Sequence, residues 1–194
     1  MALLKNRIGE RHRDVLAEIE GRWAVDPEHS ALGFSVRHMM ISTVRGRFDD
    51  FEGSFELLGD GSLDASLSIA TKSINTGNAE RDTHLRTNDF LATERYPHIA
   101  FRATAIDILN EDHARVAGDL TVRGVTRPVI LDVGLNGYVP ADWKGRPRLS
   151  LTAKATINRK DFGVSWNQVL ESGGVLVGDK IELDLEIAAI RSKS

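Results

Sequence analysis

The feature that most constrains the fold is a two-residue alternation of apolar and polar side chains. It is clearest at residues 180–189, where Ile181, Leu183, Leu185 and Ile187 alternate with charged residues. Successive side chains of a β-strand point to opposite faces, so this pattern predicts a strand with one apolar and one polar face. The same period recurs at residues 32–38, 63–70, 99–105, 116–122, 129–135 and 149–157.

One of these strands is predicted to bend. The stretch from Ser42 to Leu58 changes parity midway, and a one-residue slip around Asp49 and Asp50 is typical of a β-bulge. A second slip is expected near Ala105 and Ile106. The chain then holds about eight antiparallel strands. Because each has one apolar face, the pattern favours an all-β fold, either a closed barrel or a sandwich.

Composition narrows the function classes. The 194 residues suit one domain, and a formal net charge of −3 argues against broad affinity for nucleic acid. The absence of cysteine excludes disulfides, thiolate nucleophiles and cysteine-ligated metals. No apolar run approaches the roughly 20 residues of a membrane-spanning helix. The charged N-terminus does not resemble a secretory signal, so we expect a cytoplasmic protein.

Two parts of unequal size are predicted. Residues 1–21 form an N-terminal arm whose apolar positions approximate helical spacing, which favours an amphipathic helix over a frayed arm. Residues 22–191 form the β-domain. The apolar positions of the arm are Leu4, Ile8, Val15, Leu16 and Ile19.

The inward rows mix large and small residues. Large residues opposite small ones would build a solid core, but small residues facing the centre of an eight-strand barrel would equally leave room for a ligand. The sequence alone leaves both open. The candidate lumen residues are Phe34, Val36, Phe48, Phe51, Phe55, Leu67, Ile69, Phe101, Leu120, Leu151, Ala153 and Ala155.

The segment from Ile74 to Pro97 breaks the alternation and predicts one or two short helices over a barrel opening, with Asn78 as N-cap. His38 ends an apolar row, so it is either a hydrogen-bonded core residue or a polar group at a cavity mouth. The segment itself is either a solvated helix or a lid. The candidate mouth and lid residues are His38, Arg81, His84, Leu85 and Phe90.

No catalytic or metal-binding motif stands out. Asp82 with His38 and His84 could act as acid–base groups, but metal-ligand spacing, a nucleophile elbow and a phosphate-binding loop are all missing from the sequence. We therefore expect no metal and no cofactor. Four arginines fall at outward positions or in turns, which favours a solvated surface, and residues 123–128 favour a tight hairpin. These arginines are Arg45, Arg47, Arg123 and Arg159.

Several blocks in order resemble the YceI-like family of lipid- and polyisoprenoid-binding proteins. They cover roughly residues 22 to 190 and leave the N-terminal arm outside. The blocks are WAVDPEHS at 23–30, FSVRHM at 34–39, VRGRF at 44–48, FEG at 51–53, SINT at 73–76, RDTHL at 81–85, DF at 89–90, YPHIAF at 96–101, GDLTVRGVTRP at 118–128, NRKDFGV at 158–164 and VGD at 177–179.

The resemblance implies a lipocalin-like antiparallel barrel, usually a homodimer, whose lumen holds a long isoprenoid or fatty chain. We therefore expect a protein without enzymatic activity that binds, transports or stores such a lipid, with transient membrane contact and no nucleic-acid partner. Because many family members carry a signal peptide, the resemblance also keeps a periplasmic location open. The alternatives are an enzyme acting on a lipid or quinone through His38, Asp82 and His84, and a solid barrel that binds partners on its faces.

Overall fold

β-Strands dominate the part of the chain that the computed structural model describes, which is residues 17–169 and 174–192. The elements are β1 (Gly21–Val25), β2 (Ala31–His38), β3 (Ser42–Phe48), β4 (Phe51–Leu57), β5 (Leu63–Ala70), β6 (Ile74–Asn75), α1 (Ala79–Arg86), β7 (His98–Ile108), β8 (His113–Val122), β9 (Val125–Val139), β10 (Arg148–Asn158) and β11 (Val177–Arg191). Short 3-10 helices lie at Pro27–His29, Thr71–Ser73 and Arg159–Phe162.

The strands close into a barrel. β1 and β2 act as one long strand interrupted by the turn at Pro27–His29, and together they pair with β3 and β4. The ring continues from β4 through β5, β7, β8, β9 and β10 to β11, which pairs with both β2 and β1. All of these pairings are antiparallel. Within the described residues the fold is therefore the predicted closed antiparallel barrel of eight strands.

Both predicted strand irregularities are confirmed. Asp49 and Asp50 separate β3 from β4, and the pairing of β7 with β8 shifts register between Ala103 and Ala105. The predicted hairpin between β8 and β9 is also present. Arg123 and Gly124 have φ values of 51° and 72°, which match the twist of a two-residue turn between antiparallel strands.

The predicted break after β5 contains one α-helix in the part of the chain that the structure describes. The Asn78 side chain accepts a hydrogen bond from the Arg81 amide, at 2.9 Å, so the predicted N-cap is confirmed. α1 has eight residues. In the described ranges there is no helix with the length and hydropathy to cross a bilayer.

The two ends of the barrel differ, and we name them by what covers them. The capped end carries α1, the β2–β3 and β8–β9 turns and the 3-10 helix Arg159–Phe162. The loop end carries the β4–β5, β7–β8 and β9–β10 connections.

Trp23 anchors the first strand at the loop end. Its side chain is fully buried, and Nε1 donates a 2.8 Å hydrogen bond to the Ile19 carbonyl. The indole stacks on Phe55 at 6.3 Å between centroids and meets Tyr138 edge-on at 6.2 Å. Residues 17–19 are helical. The remainder of the predicted N-terminal helix, residues 1–16, lies outside the described residues.

Arg148 joins two nearly buried carboxylates beside this anchor. Its Nη1 lies 2.7 Å from Asp26 Oδ2, and its Nε lies 2.7 Å from Asp142 Oδ2. The hydrogen bond from Arg148 holds the pKa of Asp142 well below its usual range. Burial alone raises the pKa of Asp26, but hydrogen bonds from Arg148 and His29 outweigh it, so the net shift is downward. The cluster ties the turn after β1 to the β9–β10 loop.

Replacing Arg148 by Met should lower the urea midpoint at pH 7, because two nearly buried carboxylates lose the guanidinium that they share. Arg115→Met is the matched control, since Arg115 pairs with Asp132 at 3.5 Å on the exposed surface and should contribute little. Equal shifts for the two variants would contradict a special role for Arg148.

The same cluster predicts an acid dependence of stability. Its carboxylates have depressed pKa values in the folded state, so their stabilisation is complete above their unfolded-state pKa of about 4 and is lost as pH falls through the folded-state values. The stability gap between the wild type and Asp142→Asn should therefore narrow below about pH 4. Urea titrations at several pH values measure this gap, and a gap independent of pH would refute the assignment.

Candidate functional site

The barrel is hollow. A cavity of about 370 Å³ runs along its interior from the capped end to the loop end, with walls that are almost entirely hydrocarbon. The structure thereby decides between the solid core and the ligand-sized space that the sequence left open. Of the predicted lumen residues, those that line the cavity are Phe34, Val36, Phe48, Phe55, Leu67, Ile69, Phe101, Leu120, Leu151 and Ala153.

Inward glycines make room for aromatic rings and do not form the cavity by themselves. A Cβ on Gly46 would fall inside van der Waals contact of the Phe34 ring, and one on Gly118 would collide with Phe101. Large residues thus pack against small ones at the barrel wall, as they would in a solid core. This packing does not extend to the centre of the barrel. The apolar row of β11, including Leu183 and Leu185, stays half-buried because the centre is empty.

Two predicted lumen residues do not line the cavity. Phe51 is 8% exposed and packs into a buried cluster with Leu32, Ile69 and Ile99. Ala155 belongs to the inward row of β10, opposite Leu183, but its methyl group does not reach the cavity. Strand parity identifies the inward face correctly, whereas the length of each side chain and its neighbours decide which residues reach the empty space.

Apolar side chains close the capped end. Leu85 of α1 and the buried Phe90 line the cavity there, and so do Leu91, Phe162 and Val164 together with the polar Arg159. Leu85 and Phe90, both predicted as lid residues, thus lie on the cavity wall at this end. The lid presents hydrocarbon to the cavity.

The polar residues predicted at the mouth do not line the cavity, and this placement is corrected. Arg81 turns back to Thr76, donating from Nε to Oγ1 at 2.7 Å and from Nη2 to the carbonyl at 2.9 Å. His84 lies edge-on to Phe90 and Trp166, and its Nε2 is 2.9 Å from Asp89 Oδ2.

His38, expected either in the core or at the cavity mouth, does not line the cavity. It is half-buried at the end of β2, one inward step beyond Val36, where it pairs in register with Ser42 and Val177. Val177, its partner in register, does line the cavity. The polar side chains of the capped end thus hold the cap in place, and none of the three predicted ones faces the interior.

Asp82 has a structural partner. The residue is 7% exposed, and its carboxylate accepts hydrogen bonds from the Thr76 amide at 2.9 Å and from Thr76 Oγ1 at 2.6 Å. Because His84 bonds to Asp89 instead, the structure does not join Asp82 and His84 into one acid–base pair.

Arg159 was expected on a solvated surface, and this expectation is wrong. It is 4% exposed, and burial lowers its pKa. Its Nε donates to the Gly178 carbonyl at 2.9 Å, and Nη1 donates to the carbonyls of Val164 and Trp166, both at 2.8 Å. Nη2 reaches Val177 and Asp179. Strand parity carries no signal for such a residue, because Arg159 follows the end of β10.

Residues Asn110 to His113 form a polar edge of the cavity that sequence reasoning missed. All four line the cavity and are exposed; Asn110, Glu111 and Asp112 lie in the connection between β7 and β8, and His113 begins β8. The His113 ring nitrogen Nδ1 lies 2.8 Å from Asp112 Oδ1, and this hydrogen bond lowers the pKa of Asp112. A turn sequence rich in polar residues gave no sign that it bounds an apolar interior.

One acidic cluster has the composition of a cation site. Asp26, Glu28 and His29 place one ligand atom each within 4.8 Å of one another. The Arg148 guanidinium already bonds Asp26 at 2.7 Å, and its positive charge opposes a cation there.

Comparison with known proteins gives relatives over most of the chain. A UPF0312 protein of Staphylococcus aureus is 36% identical over 163 residues, covering 82% of this chain and 91% of the relative. The YceI protein of Campylobacter jejuni has a similar structure, with a TM-score of 0.69 at 26% identity over 81% of this chain and 90% of that one.

Two further solved structures share the fold at lower identity. BcnA of Burkholderia cenocepacia gives a TM-score of 0.73 at 18% identity, covering 84% of this chain and 98% of that one. A polyisoprenoid-binding domain of Saccharophagus degradans, implicated in plant cell wall breakdown, gives 0.63 at 17%, covering 88% and 98%.

The profile of the YceI-like domain matches residues 23–189, which include nearly the whole barrel from β1 to β11. This match agrees with the hollow antiparallel barrel and with the folds of the similar solved structures. The chain belongs to the YceI-like domain family.

Proposed function

We propose that the protein binds a long-chain isoprenoid or a related amphiphilic lipid inside the barrel and carries or stores it chemically unchanged. The observation that carries the proposal is the continuous apolar cavity of about 370 Å³. A structural neighbour described as a polyisoprenoid-binding domain supports this class of ligand.

Burial of the hydrocarbon tail supplies the binding free energy. Each methylene group moved from water into an apolar environment contributes about 0.8 kcal/mol. Ordering the tail and losing its free motion offset a large part of that sum. A tail that fills the cavity therefore binds tightly without a covalent step or a cofactor.

The geometry gives the enzymatic alternative little support. Asp82 is engaged by Thr76 and His84 by Asp89, and neither His38 nor these two side chains contact the cavity. At the capped end a bound tail would thus meet a wall that is apolar except for Arg159, and no acid–base pair. The proposal is accordingly a binding function.

Filling the cavity should displace the lipid without unfolding the protein. Ala153 is 4% exposed, lines the cavity and lies opposite Val133 and Leu185. In Ala153→Trp the indole should occupy the space of the tail. We expect the affinity for farnesol to fall at least about tenfold, while the melting temperature of the lipid-free protein stays within a few degrees of the wild type.

Lys154→Trp is the matched control, because the neighbouring side chain points outward and is exposed. Both variants must be compared after delipidation, since bound lipid itself raises the melting temperature. The proposed function would be contradicted if Ala153→Trp and Lys154→Trp bound farnesol with equal affinity. It would also be contradicted if the wild type and both variants failed to bind farnesol.

The assembly state remains part of the proposal. We expect a homodimer, as the family resemblance implies, and sedimentation equilibrium should give twice the chain mass at micromolar concentration. A single-chain mass over that range would refute the dimer. Transient membrane contact and the cellular compartment stay predictions.

A further inference from the structure

We propose that the turn between β2 and β3 docks the protein on an anionic bilayer, with Met39, Met40 and Ile41 inserted among the lipid head groups. We call these three residues the docking turn. The inference goes beyond the proposed function, because attachment to a membrane does not require a lipid inside the barrel. It makes the capped end the side of the barrel that faces the membrane.

The docking turn exposes three consecutive apolar side chains. Met39 is 40% exposed, Met40 is 57% exposed and Ile41 is 79% exposed. Turns that face water ordinarily carry polar residues, Gly or Pro. Scattered single apolar residues on a surface need no explanation, whereas a contiguous exposed group indicates an apolar partner.

The backbone of the docking turn favours other residue types. The Ile41 amide donates to the His38 carbonyl at 3.2 Å, so residues 38–41 form a β-turn with two methionines at its centre. Both central residues are left-handed, with φ values of 51° at Met39 and 61° at Met40. Asn and Gly are the usual residues at such positions, because a larger side chain is strained there. Insertion of the methionine side chains into a membrane gives a reason for this departure.

The size of the surface favours a bilayer over a protein partner. Three residues in one turn offer a small area, whereas a stable protein interface buries about 800 Å² on each partner. A head-group region accepts apolar side chains individually at its boundary with the acyl chains. The unbranched methionine side chain also adapts to irregular surroundings. The docking turn therefore suits shallow insertion.

Two arginines flank the docking turn on the outer face of the hairpin. Arg37 donates from Nη2 to the Met40 carbonyl at 2.9 Å, so its guanidinium lies at the turn. Arg45 is exposed on β3 opposite Ser35, whose hydroxyl donates to Glu182 at 3.1 Å. Within the described residues neither arginine forms an ion pair. Both charges can thus meet lipid phosphates, and in a chain of net charge −3 the attraction depends on such a local group.

The loop end is the competing surface. Trp143 is 84% exposed there, and Lys144 lies over its ring. Glu111 and Asp112 are exposed at the same end of the barrel. An anionic bilayer would repel these carboxylates, so the docking turn is the better match.

Cosedimentation with vesicles tests the surface. The wild type should bind vesicles of equal parts phosphatidylcholine and phosphatidylglycerol, and should bind pure phosphatidylcholine much more weakly. Ile41→Asp should lower the apparent affinity for the mixed vesicles at least about tenfold. Ile130→Asp is the matched control, because Ile130 is 61% exposed on the outer face of β9 and should not contact the membrane.

Equal losses in Ile41→Asp and Ile130→Asp, or no binding of mixed vesicles by the wild type, would overturn the proposal. A loss in Trp143→Asp without one in Ile41→Asp would assign docking to the loop end. Farnesol binding in solution by Ile41→Asp should match that of the wild type. Failure of vesicle binding therefore leaves the proposed function standing, and failure of farnesol binding leaves the docking turn standing.

A double variant separates docking from folding. Met39→Asn combined with Met40→Gly suits the left-handed backbone, so the melting temperature should stay equal or rise. The affinity for the mixed vesicles should nevertheless fall severalfold, because two inserted side chains are lost. Unchanged vesicle binding in this double variant would contradict the insertion of the methionines.

Single cysteines locate the contact directly, because the chain contains none of its own. Ile41→Cys, Ile130→Cys and Trp143→Cys each carry an environment-sensitive fluorophore, and only the label at residue 41 should shift to shorter wavelength on the mixed vesicles. Sedimentation equilibrium of Ile41→Asp tests the other occupant, a second copy of this chain. A dimer that dissociates in this variant would assign the turn to the subunit interface and overturn the proposal.

Discussion

An eight-strand antiparallel sheet that closes on itself encloses an interior. The width of this interior depends on the number of strands and their stagger, and the inward side chains either fill the space or leave it empty. Here they leave it partly empty. Aromatic rings such as Phe34 and Phe101 lie against Gly46 and Gly118 at the wall, and a cavity of about 370 Å³ remains along the middle. The hydrocarbon wall makes a lipid tail the natural occupant.

The two ends of the barrel differ in the residues that bound the cavity. At the capped end, α1 contributes Leu85 to the wall, while its polar residues bond back to the segment that precedes the helix. Arg159 does the same for the chain after β10, where its buried guanidinium joins the segment around Val164 to β11. At the loop end, Ile19 of the helical residues 17–19 lines the cavity, and exposed polar residues bound the cavity beside it. Apolar side chains that hydrogen bonds hold in place thus close one end of the barrel, and a polar edge bounds the cavity at the other.

The barrel could be predicted from the sequence because alternation reports directly on strand faces. The break at Asp49 and Asp50 and the cap at Asn78 were predictable for the same reason, since each is a local rule of backbone geometry. The site was harder. Parity places His38 inward but does not say where the cavity ends, and helical spacing groups Arg81 with Leu85 although their side chains turn to different neighbours.

Long-range packing accounts for the remaining differences. The burial of Arg159 depends on carbonyls from β11 and from the chain around Val164, which no local pattern brings together. The sequence of residues 110–113 indicates only a polar turn. Closure of the barrel places these residues at the edge of the cavity. The sequence therefore predicts which residues face inward, and closure of the barrel decides which of them a ligand would touch.

The central claim is that the cavity holds a lipid tail that the protein leaves chemically unchanged. Native mass spectrometry of the purified protein, followed by organic extraction and identification of the released compound, tests it most directly. We expect an added mass that extraction removes and that corresponds to an intact long-chain lipid. A protein that carries no extractable lipid and takes up none from a mixture of prenols and fatty acids would contradict the account.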